Sequence, residues 1–290
     1  IILPLSWLPM NLLYRLSDAL FYFLYKLIGY RKKVVWDNLS GSFPDKSQSE
    51  LLGIMDKFYS HFFDLIVESL KTFTMTKKQS LHTFRIANPE LINRYAKEGK
   101  NVMITTGHYN NWEFAAQSTA LQILATPAGI YHPLKNKFFE NKIRASRGKF
   151  GILLVPKNKT KQFLENHSHD PIALMMGTDQ SPHNPQKAFW TTFLGRETAV
   201  MFGSEKIAKE QNQVVVYGNI RKLERGIYEM EFELITEQPR ETAYGEITLQ
   251  HTRKLEKAIL NQPEFWLWTH KRWKRTRPHN MPLINEPVNA

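Results

Sequence analysis

The spacing of apolar residues divides the chain into two parts that predict different kinds of structure. Between Ser49 and Thr72, apolar residues recur at helical spacing, which predicts an amphipathic helix with one face in a core. From residue 101 onward, short apolar runs alternate with polar or amphipathic stretches, as strands and helices do in α/β proteins. We therefore predict an α/β fold with a mixed sheet flanked by helices, preceded by a helical N-terminal part.

The second part predicts a definite series of elements. Strands are predicted at 101–106, 128–131, 152–156, 172–176, 214–220 and 228–235, the last two as a hairpin. Helices are predicted at about 111–124, 135–149, 159–167, 199–211 and 242–260. The apolar run at 189–195 is interpreted as part of a loop, either closing the core or lining a groove for an acyl chain.

The first 30 residues are rich in Leu, Phe, Tyr and Trp. Charged side chains interrupt this stretch, so no run of about 20 apolar residues is present to span a bilayer. Aromatic residues followed by a basic cluster are typical of a helix that lies in the membrane interface. We predict a membrane-anchor helix over 1–33, which either spans or lies on the bilayer, and one domain over 34–290. An ordinary buried helix is the alternative for the N-terminal segment.

Composition narrows the classes of function. The absence of Cys excludes disulfides, thiolate zinc sites and a Cys nucleophile. The net charge of +12 predicts an anionic partner, which includes nucleic acid, anionic lipid head groups and acidic carrier proteins. The stretch 270–277 holds five Lys and Arg in eight residues. Trp268 and Trp273 favour a docked segment there over a solvated basic tail.

The strongest candidate for chemistry is His108, which lies between a predicted strand and the helix that begins near Asn111. This turn is where α/β sheets place reactive groups. An imidazole can accept a proton from a hydroxyl near neutral pH, and a carboxylate on its other nitrogen fixes the tautomer. Glu113 is the predicted partner, although five helical positions correspond to about 140° of rotation, so the turn must fold back. The pair indicates acyl transfer to an alcohol, with a surface His beside a carboxylate as the alternative.

More polar groups are expected at the same edge of the sheet. Arg144 and Arg147 share one face of a predicted basic helix, and their forked guanidinium groups suit phosphate. Asp179 and Gln180 follow the predicted strand 172–176, where ligands of open α/β sheets bind. We expect these two side chains to shape the site rather than to transfer protons, with turn capping as the alternative.

Taken in order, these blocks resemble the glycerolipid acyltransferase superfamily and, more narrowly, the bacterial lipid A biosynthesis acyltransferases of the lauroyl and myristoyl transferase type. The similarity rests on residues 107–113, 178–180, 193–195 and 263–274, together with the apolar N-terminus. It therefore covers nearly the whole chain. Two departures concern the second block, where His132 follows Tyr131 in place of the usual Arg, and the segment 181–185, which is peculiar to this chain.

The resemblance implies transfer of a fatty acyl group from a thioester, usually on acyl carrier protein, to a hydroxyl of a phosphorylated lipid A precursor. It implies His108 as general base, oriented by Glu113, with Arg144, Arg147, Asp179 and Gln180 around the substrate. It implies no metal and no cofactor beyond the acyl co-substrate, for which coenzyme A is the alternative carrier. The expected partners are acyl carrier protein, the lipid acceptor and the membrane surface at the cytoplasmic face of the inner membrane.

Two alternatives stay open at this point. An enzyme of the same superfamily could acylate a lysophospholipid, an ornithine or other amino-acid lipid, or another glycolipid. A basic nucleic-acid-binding protein would also explain the positive charge and the Trp-containing tail, but it leaves the apolar N-terminus and His108 without a role. We therefore expect no nucleic-acid partner. Acyl chain length and the acceptor hydroxyl are not predicted.

Overall fold

The computed structural model describes residues 2–167 and 170–288 and shows the predicted mixed α/β architecture. One mixed sheet is built from β1 (Phe84–Ile86), β2 (Val102–Thr106), β3 (Thr126–Tyr131), β4 (Leu153–Pro156), β5 (Ile172–Gly177), β8 (Val214–Glu224) and β9 (Ile227–Thr236). A separate antiparallel hairpin is formed by β6 (Phe189–Phe193) and β7 (Arg196–Val200). The order in the large sheet is β1-β9-β8-β2-β5-β3-β4.

Strands β8, β2, β5, β3 and β4, which are adjacent in this order, run parallel to one another, whereas β9 is antiparallel to β8.

The described helices are α1 (Ile2–Ser6), α2 (Met10–Leu20), α3 (Lys32–Ser42), α4 (Gln48–Lys71), α5 (Lys77–Thr83), α6 (Glu90–Lys97), α7 (Trp112–Ser118), α8 (Lys137–Arg147), α9 (Thr160–Asn166), α10 (Gly203–Gln211) and α11 (Glu246–Asn261). The predicted strands of the second part are confirmed, and its predicted helices are confirmed with shifted ends.

The central strand β2 is apolar throughout because both of its faces are covered. Val102 and Ile104 pack in one hydrophobic cluster with Phe114 of α7, while Met103 packs in a second cluster with Ile247 of α11. Parallel strands buried on both faces show continuous apolar runs rather than alternation. This double burial fixes the carboxyl end of β2, from which the His108 turn leaves the sheet.

The N-terminal segment is not the single helix predicted for 1–33. Pro9 precedes α2, and a π-helical turn at Phe21–Ile28 ends at Gly29, whose φ of 75° is the left-handed conformation that Gly adopts readily. These pieces pack on α4, where the Lys71 ammonium donates hydrogen bonds to backbone carbonyls of Ser6 and Leu8. Among the described residues, no helix combines the length and the hydropathy needed to cross a bilayer.

The prediction for 189–195 was wrong about its structure. Instead of a loop, most of this run forms β6, which pairs with β7. Because β7 extends to Val200, the helix predicted from 199 begins only at Gly203. Phe189, Trp190 and Thr191 are all buried, so the strand lacks the alternation that would have identified it. The short strand β1 and the helices α5 and α6 were not predicted either.

Candidate active site

The register of two neighbouring strands brings His108 and Asp179 together. Strand β2 pairs in parallel with β5, and Thr106 lies opposite Gly177 at the end of the ladder. The backbone N–H of Thr178 continues this pairing with a 2.9 Å hydrogen bond to the carbonyl of Thr106. Residues two positions beyond each strand therefore leave the sheet side by side, which places His108 next to Asp179.

Asp179 holds the imidazole of His108 from the carboxyl edge of the sheet. The Nδ1 of His108 lies 2.7 Å from Oδ1 of Asp179, and the backbone N–H of His108 donates to Oδ2 at 2.9 Å. The indole N–H of Trp266 donates to the same Oδ2 at 2.8 Å. The Asp179 side chain is only 3% exposed. Such a buried carboxylate is tolerated because three hydrogen bonds converge on its charge.

Glu113 does not make the predicted contact with His108. It lies in the first turn of α7 and accepts two hydrogen bonds from the guanidinium of Arg147 in α8, one of them 2.8 Å long from Nε. Glu113 is held by Arg147, whereas Asp179 occupies the Nδ1 side of the ring from the neighbouring strand end. The orienting carboxylate of His108 is therefore Asp179, and this corrects the sequence prediction.

The two predicted arginines have different environments. Arg147 is mostly buried and is engaged by Glu113, so its guanidinium is not free for a phosphate in the way the sequence suggested. Arg144 is exposed on the same helix and makes no ion pair with any residue that the structure describes. The helix thus turns one arginine toward the His108 turn and leaves the other at the surface.

The charges at the site bias His108 toward protonation. Burial alone lowers the pKa of His108, but the negative charge and hydrogen bond of Asp179 outweigh it and raise that pKa above the ordinary value of 6.5. Burial opposes ionisation of Asp179, yet the charge of His108 and the hydrogen bonds from His108 and Trp266 hold the pKa of Asp179 well below its usual range. The carboxylate therefore stays ionised throughout the neutral pH range.

The second ring nitrogen of His108 faces Gln180. The Nε2 atoms of Gln180 and His108 are 3.2 Å apart, and the His108 side chain is 24% exposed. With Nδ1–H donated to Asp179, the lone pair on Nε2 is available as an acceptor. Gly177 leaves room for this ring, because a Cβ at that position would approach Cε1 of His108 to 3.0 Å. Asp179 and Gln180 thus hold opposite sides of the same imidazole.

The C-terminal segment at 263–274 braces the His108 turn. The backbone N–H of Asn110 donates to the carbonyl of Phe265 at 2.9 Å, and the N–H of Leu267 donates to the carbonyl of His108 at 3.2 Å. Trp268 in this segment is fully buried. The docked arrangement favoured by the two Trp residues is confirmed, although the role of Trp266 toward Asp179 was missed; its only signal was the Trp-rich composition of the segment.

A buried carboxylate on α4 supports the other side of the turn. Glu68 accepts hydrogen bonds from Asn111 Nδ2 at 2.7 Å, from the Tyr14 hydroxyl at 2.8 Å and from the Tyr228 hydroxyl at 2.9 Å. The Oδ1 of Asn111 accepts from the N–H of Phe114 and so caps α7. Burial raises the pKa of Glu68. Glu68 therefore ties α2, β9 and the start of α7 together, and nothing in the sequence pattern indicated it.

We expect Glu68→Ala to lower the free energy of unfolding by about 2–4 kcal/mol, because two buried donors and one partly buried donor lose their acceptor. Denaturant unfolding of both proteins at neutral pH measures this difference. Glu224→Ala is the matched control, since Glu224 is exposed and outside any ion pair among the described residues. A loss below about 1 kcal/mol, equal to that of the control, would contradict a supporting role for Glu68.

In the described ranges, 2–167 and 170–288, no group of three or more His, Asp and Glu side chains lies close enough together to hold a metal ion. The site thus presents a partly exposed imidazole with one nitrogen fixed by a buried carboxylate and the other facing Gln180. This arrangement can remove a proton from a bound hydroxyl and return it to a leaving group.

Comparison with known proteins identifies the family of enzymes to which this site belongs. No curated protein matches the chain. The sequence model of the family described as bacterial lipid A biosynthesis acyltransferase matches residues 1–275. The match contains His108, Asp179 and Trp266 and extends over nearly the whole chain. The chain therefore belongs to the bacterial lipid A biosynthesis acyltransferase family.

Proposed function

We propose that this protein transfers a fatty acyl chain from an acyl thioester to a hydroxyl of a lipid A precursor, with His108 as the general base. Membership of the family implies an acyltransferase of lipid A biosynthesis. The observation that carries the rest is the His108–Asp179 pair at the carboxyl edge of the sheet, in which the His108 side chain is 24% exposed.

The proposed reaction begins with the acceptor hydroxyl at Nε2 of His108. Nε2 takes the hydroxyl proton while the oxygen attacks the thioester carbonyl, and Asp179 stabilises the imidazolium through Nδ1–H. The tetrahedral intermediate then expels the thiolate, which takes the proton back from Nε2. No acyl-enzyme is needed, because the thioester is already activated. Gln180 lies where the acceptor hydroxyl would bind and so marks that position.

Glu113 and Arg147 receive a different role in this proposal from the one predicted. Both charges act on the pKa of His108, in opposite directions, so the pair lies near the imidazole without adding a net charge. We propose that Glu113 fixes the guanidinium of Arg147 beside the His108 turn, where its charge balances that of Glu113. Arg144 is proposed to bind a head-group phosphate from the surface of α8.

The partners in this proposal follow from charge and exposed apolar surface. The net charge of +12 suits both an acidic acyl carrier protein and an anionic membrane at the cytoplasmic face of the inner membrane. Several large apolar side chains of the N-terminal segment are exposed, namely Trp7, Tyr22, Phe23, Leu27 and Ile28. Contiguous exposed apolar groups beside basic residues suit an interfacial helix.

An acyl-transfer assay in detergent tests the function directly. The purified protein is mixed with acyl carrier protein bearing a labelled acyl chain and a tetra-acylated lipid A precursor, and label in the lipid is measured. Transfer to this acceptor supports the proposal. Transfer only to lysophospholipid or amino-acid lipid acceptors would retain acyl transfer but reject the lipid A acceptor. Absence of transfer to every acceptor would reject the proposed reaction.

We expect the triple variant Phe23→Ser, Leu27→Ser and Ile28→Ser to bind anionic phosphatidylglycerol vesicles at least tenfold more weakly. These side chains are 55%, 63% and 60% exposed, so little folding stability depends on them. Each buried apolar side chain contributes about 1.5–3 kcal/mol when it leaves water. Vesicle sedimentation measures the binding. The control is Leu124→Ser with Leu260→Ser, which alters similarly exposed leucines elsewhere; equal binding by both variants would contradict membrane contact through the N-terminal segment.

A further inference from the structure

Two positions at which the sequence predicts departures from the family pattern meet in space. His132 directly follows β3, and His183 lies in the peculiar segment 181–185 after β5. Their rings pack edge to face, with centroids 5.6 Å apart and an interplanar angle of 85°. Because β3 and β5 are neighbouring parallel strands, both histidines leave the sheet at its carboxyl edge. The two histidines therefore form one local feature of the structure.

This pair of histidines lies on the same edge as the reactive imidazole. Strand β5 separates β2 from β3, so the ends of β2 and β3 are about 10 Å apart at the usual strand spacing. His183 lies three residues beyond Gln180, which contacts His108. A substrate group about 10 Å from the reacting atoms would thus reach His132 and His183.

The surroundings of the pair are positively charged. Lys157 follows Pro156, which lies opposite Tyr131 in the β3–β4 ladder, so Lys157 and His132 leave neighbouring strands at the same edge. Burial lowers the pKa of His132, and the charges of Lys157 and His183 lower it further. No carboxylate among the described residues offsets these effects on His132.

The carboxylate on the adjoining helix α8 is already engaged. Glu140 accepts a hydrogen bond from the Tyr131 hydroxyl at 2.6 Å and another from the N–H of Leu134 at 2.8 Å. These hydrogen bonds lower the pKa of Glu140, and the charges of Arg144 and Arg147 lower it further. The edge above β3 and β4 therefore has an excess of cationic groups and no free counter-charge from α8.

We propose that His132, His183 and Lys157 form a binding subsite for a phosphoryl group of a substrate. Two imidazoles and an ammonium group repel one another when all are charged, and an anion bound among them removes that repulsion. A phosphoryl group offers several strong acceptor oxygens to such donors. The assignment of this group to a substrate rests on the proposed acyl transfer, since a phosphorylated lipid head group and the phosphopantetheine of a carrier protein share this chemistry.

The subsite has a pH dependence that an arginine would not have. A protonated imidazole binds the anion, so affinity falls as the pH rises through the pKa of His132. Arginine stays charged over the same range. The phosphate ligand also changes its charge over this pH range. That change affects the wild type and His132→Arg equally, so it cancels in the ratio of their affinities. Wild-type binding should therefore weaken relative to His132→Arg as the pH rises from about 6 to 8.

The first test does not depend on enzyme activity. Full-length protein labelled with ¹⁵N-histidine is titrated with inorganic phosphate, and the imidazole resonances are assigned by single variants. We expect the resonances of His132 and His183 to shift together and the pKa of His132 to rise. His183→Ala should abolish the response of His132, while exposed His82 on α5 serves as the internal control. An unchanged His132 at saturating phosphate would overturn the subsite.

The second test identifies the source of the phosphoryl group. The KM values of His183→Ala and wild type are compared for acceptors with and without phosphate, and for thioester donors with and without phosphopantetheine. A loss of one charge-assisted contact should raise one KM about tenfold. A rise confined to the phosphorylated acceptor assigns the lipid head group, and one confined to the phosphopantetheine donor assigns the carrier. If the wild type is active and neither KM changes in His183→Ala, the subsite is rejected. If the wild type turns over none of these substrates, the proposed reaction is rejected, and the phosphate titration alone decides whether the subsite exists.

Discussion

Asp179→Asn is expected to lower kcat/KM for acyl transfer by about 10³–10⁴-fold, with a much smaller change in folding stability. The amide keeps the shape of the side chain, but it can present an NH₂ group to Nδ1 of His108. That contact favours the tautomer with its proton on Nε2, which removes the lone pair needed by the acceptor hydroxyl. The loss is measured with saturating and limiting acceptor, and thermal unfolding checks that the variant is folded.

The pH profile of the same variant gives an independent readout. In the wild type, the charge of Asp179 raises the pKa of His108 above 6.5, and the protonated ring cannot act as a base. Wild-type kcat/KM should therefore increase with pH through that raised pKa. In Asp179→Asn the charge is absent and burial still lowers the pKa of His108, so the residual activity should reach its plateau at lower pH.

Glu113→Gln is the matched comparison, because it neutralises the other carboxylate near His108. We expect a loss of about 10–100-fold, since Gln keeps one hydrogen bond to Arg147 and leaves the Asp179 contact intact. The two variants distinguish Asp179, which the structure places beside His108, from Glu113, which the sequence predicted as the orienting carboxylate. If Glu113→Gln lost about 10⁴-fold while Asp179→Asn stayed active, Glu113 and not Asp179 would orient the base.

His108→Ala is expected to reduce kcat by about 10⁴-fold or more, because both the base and the acid that protonates the leaving thiolate are removed. Substrate binding should change little, so the loss should appear in kcat rather than in KM. Added imidazole should restore part of the activity if the vacated space admits it. The matched control is His82→Ala at an exposed position of α5. Unchanged turnover in folded His108→Ala would exclude His108 as the base.

Much of the element order could be predicted from local pattern. The runs that became β2 and β5 are apolar because parallel strands are buried on both faces, and their lengths suit strands rather than helices. The position of His108 on the turn after β2 followed from the same pattern. The family followed from ordered blocks of residues along the chain, and the match over residues 1–275 agrees with that.

Local pattern was insufficient where both faces of a strand are buried in a hairpin. The run at Phe189–Phe193 has no alternation, and its partner β7 contains polar residues, so neither strand could be recognised by periodicity. The N-terminal helix pieces were merged for a related reason, because composition indicates an apolar surface but not where Pro9 and Gly29 interrupt the helix.

The choice between two carboxylates as the partner of His108 depended on contacts between distant segments. Sequence spacing favoured Glu113, which is near in the chain, whereas the β2–β5 register brings Asp179 beside the ring from 71 positions away. Trp266 and Glu68 reach the same turn from the C-terminal segment and from α4. Residue types and their order therefore specify the candidate imidazole and the family, while strand register and buried hydrogen bonds, which have no signature in local sequence, specify the carboxylate beside it.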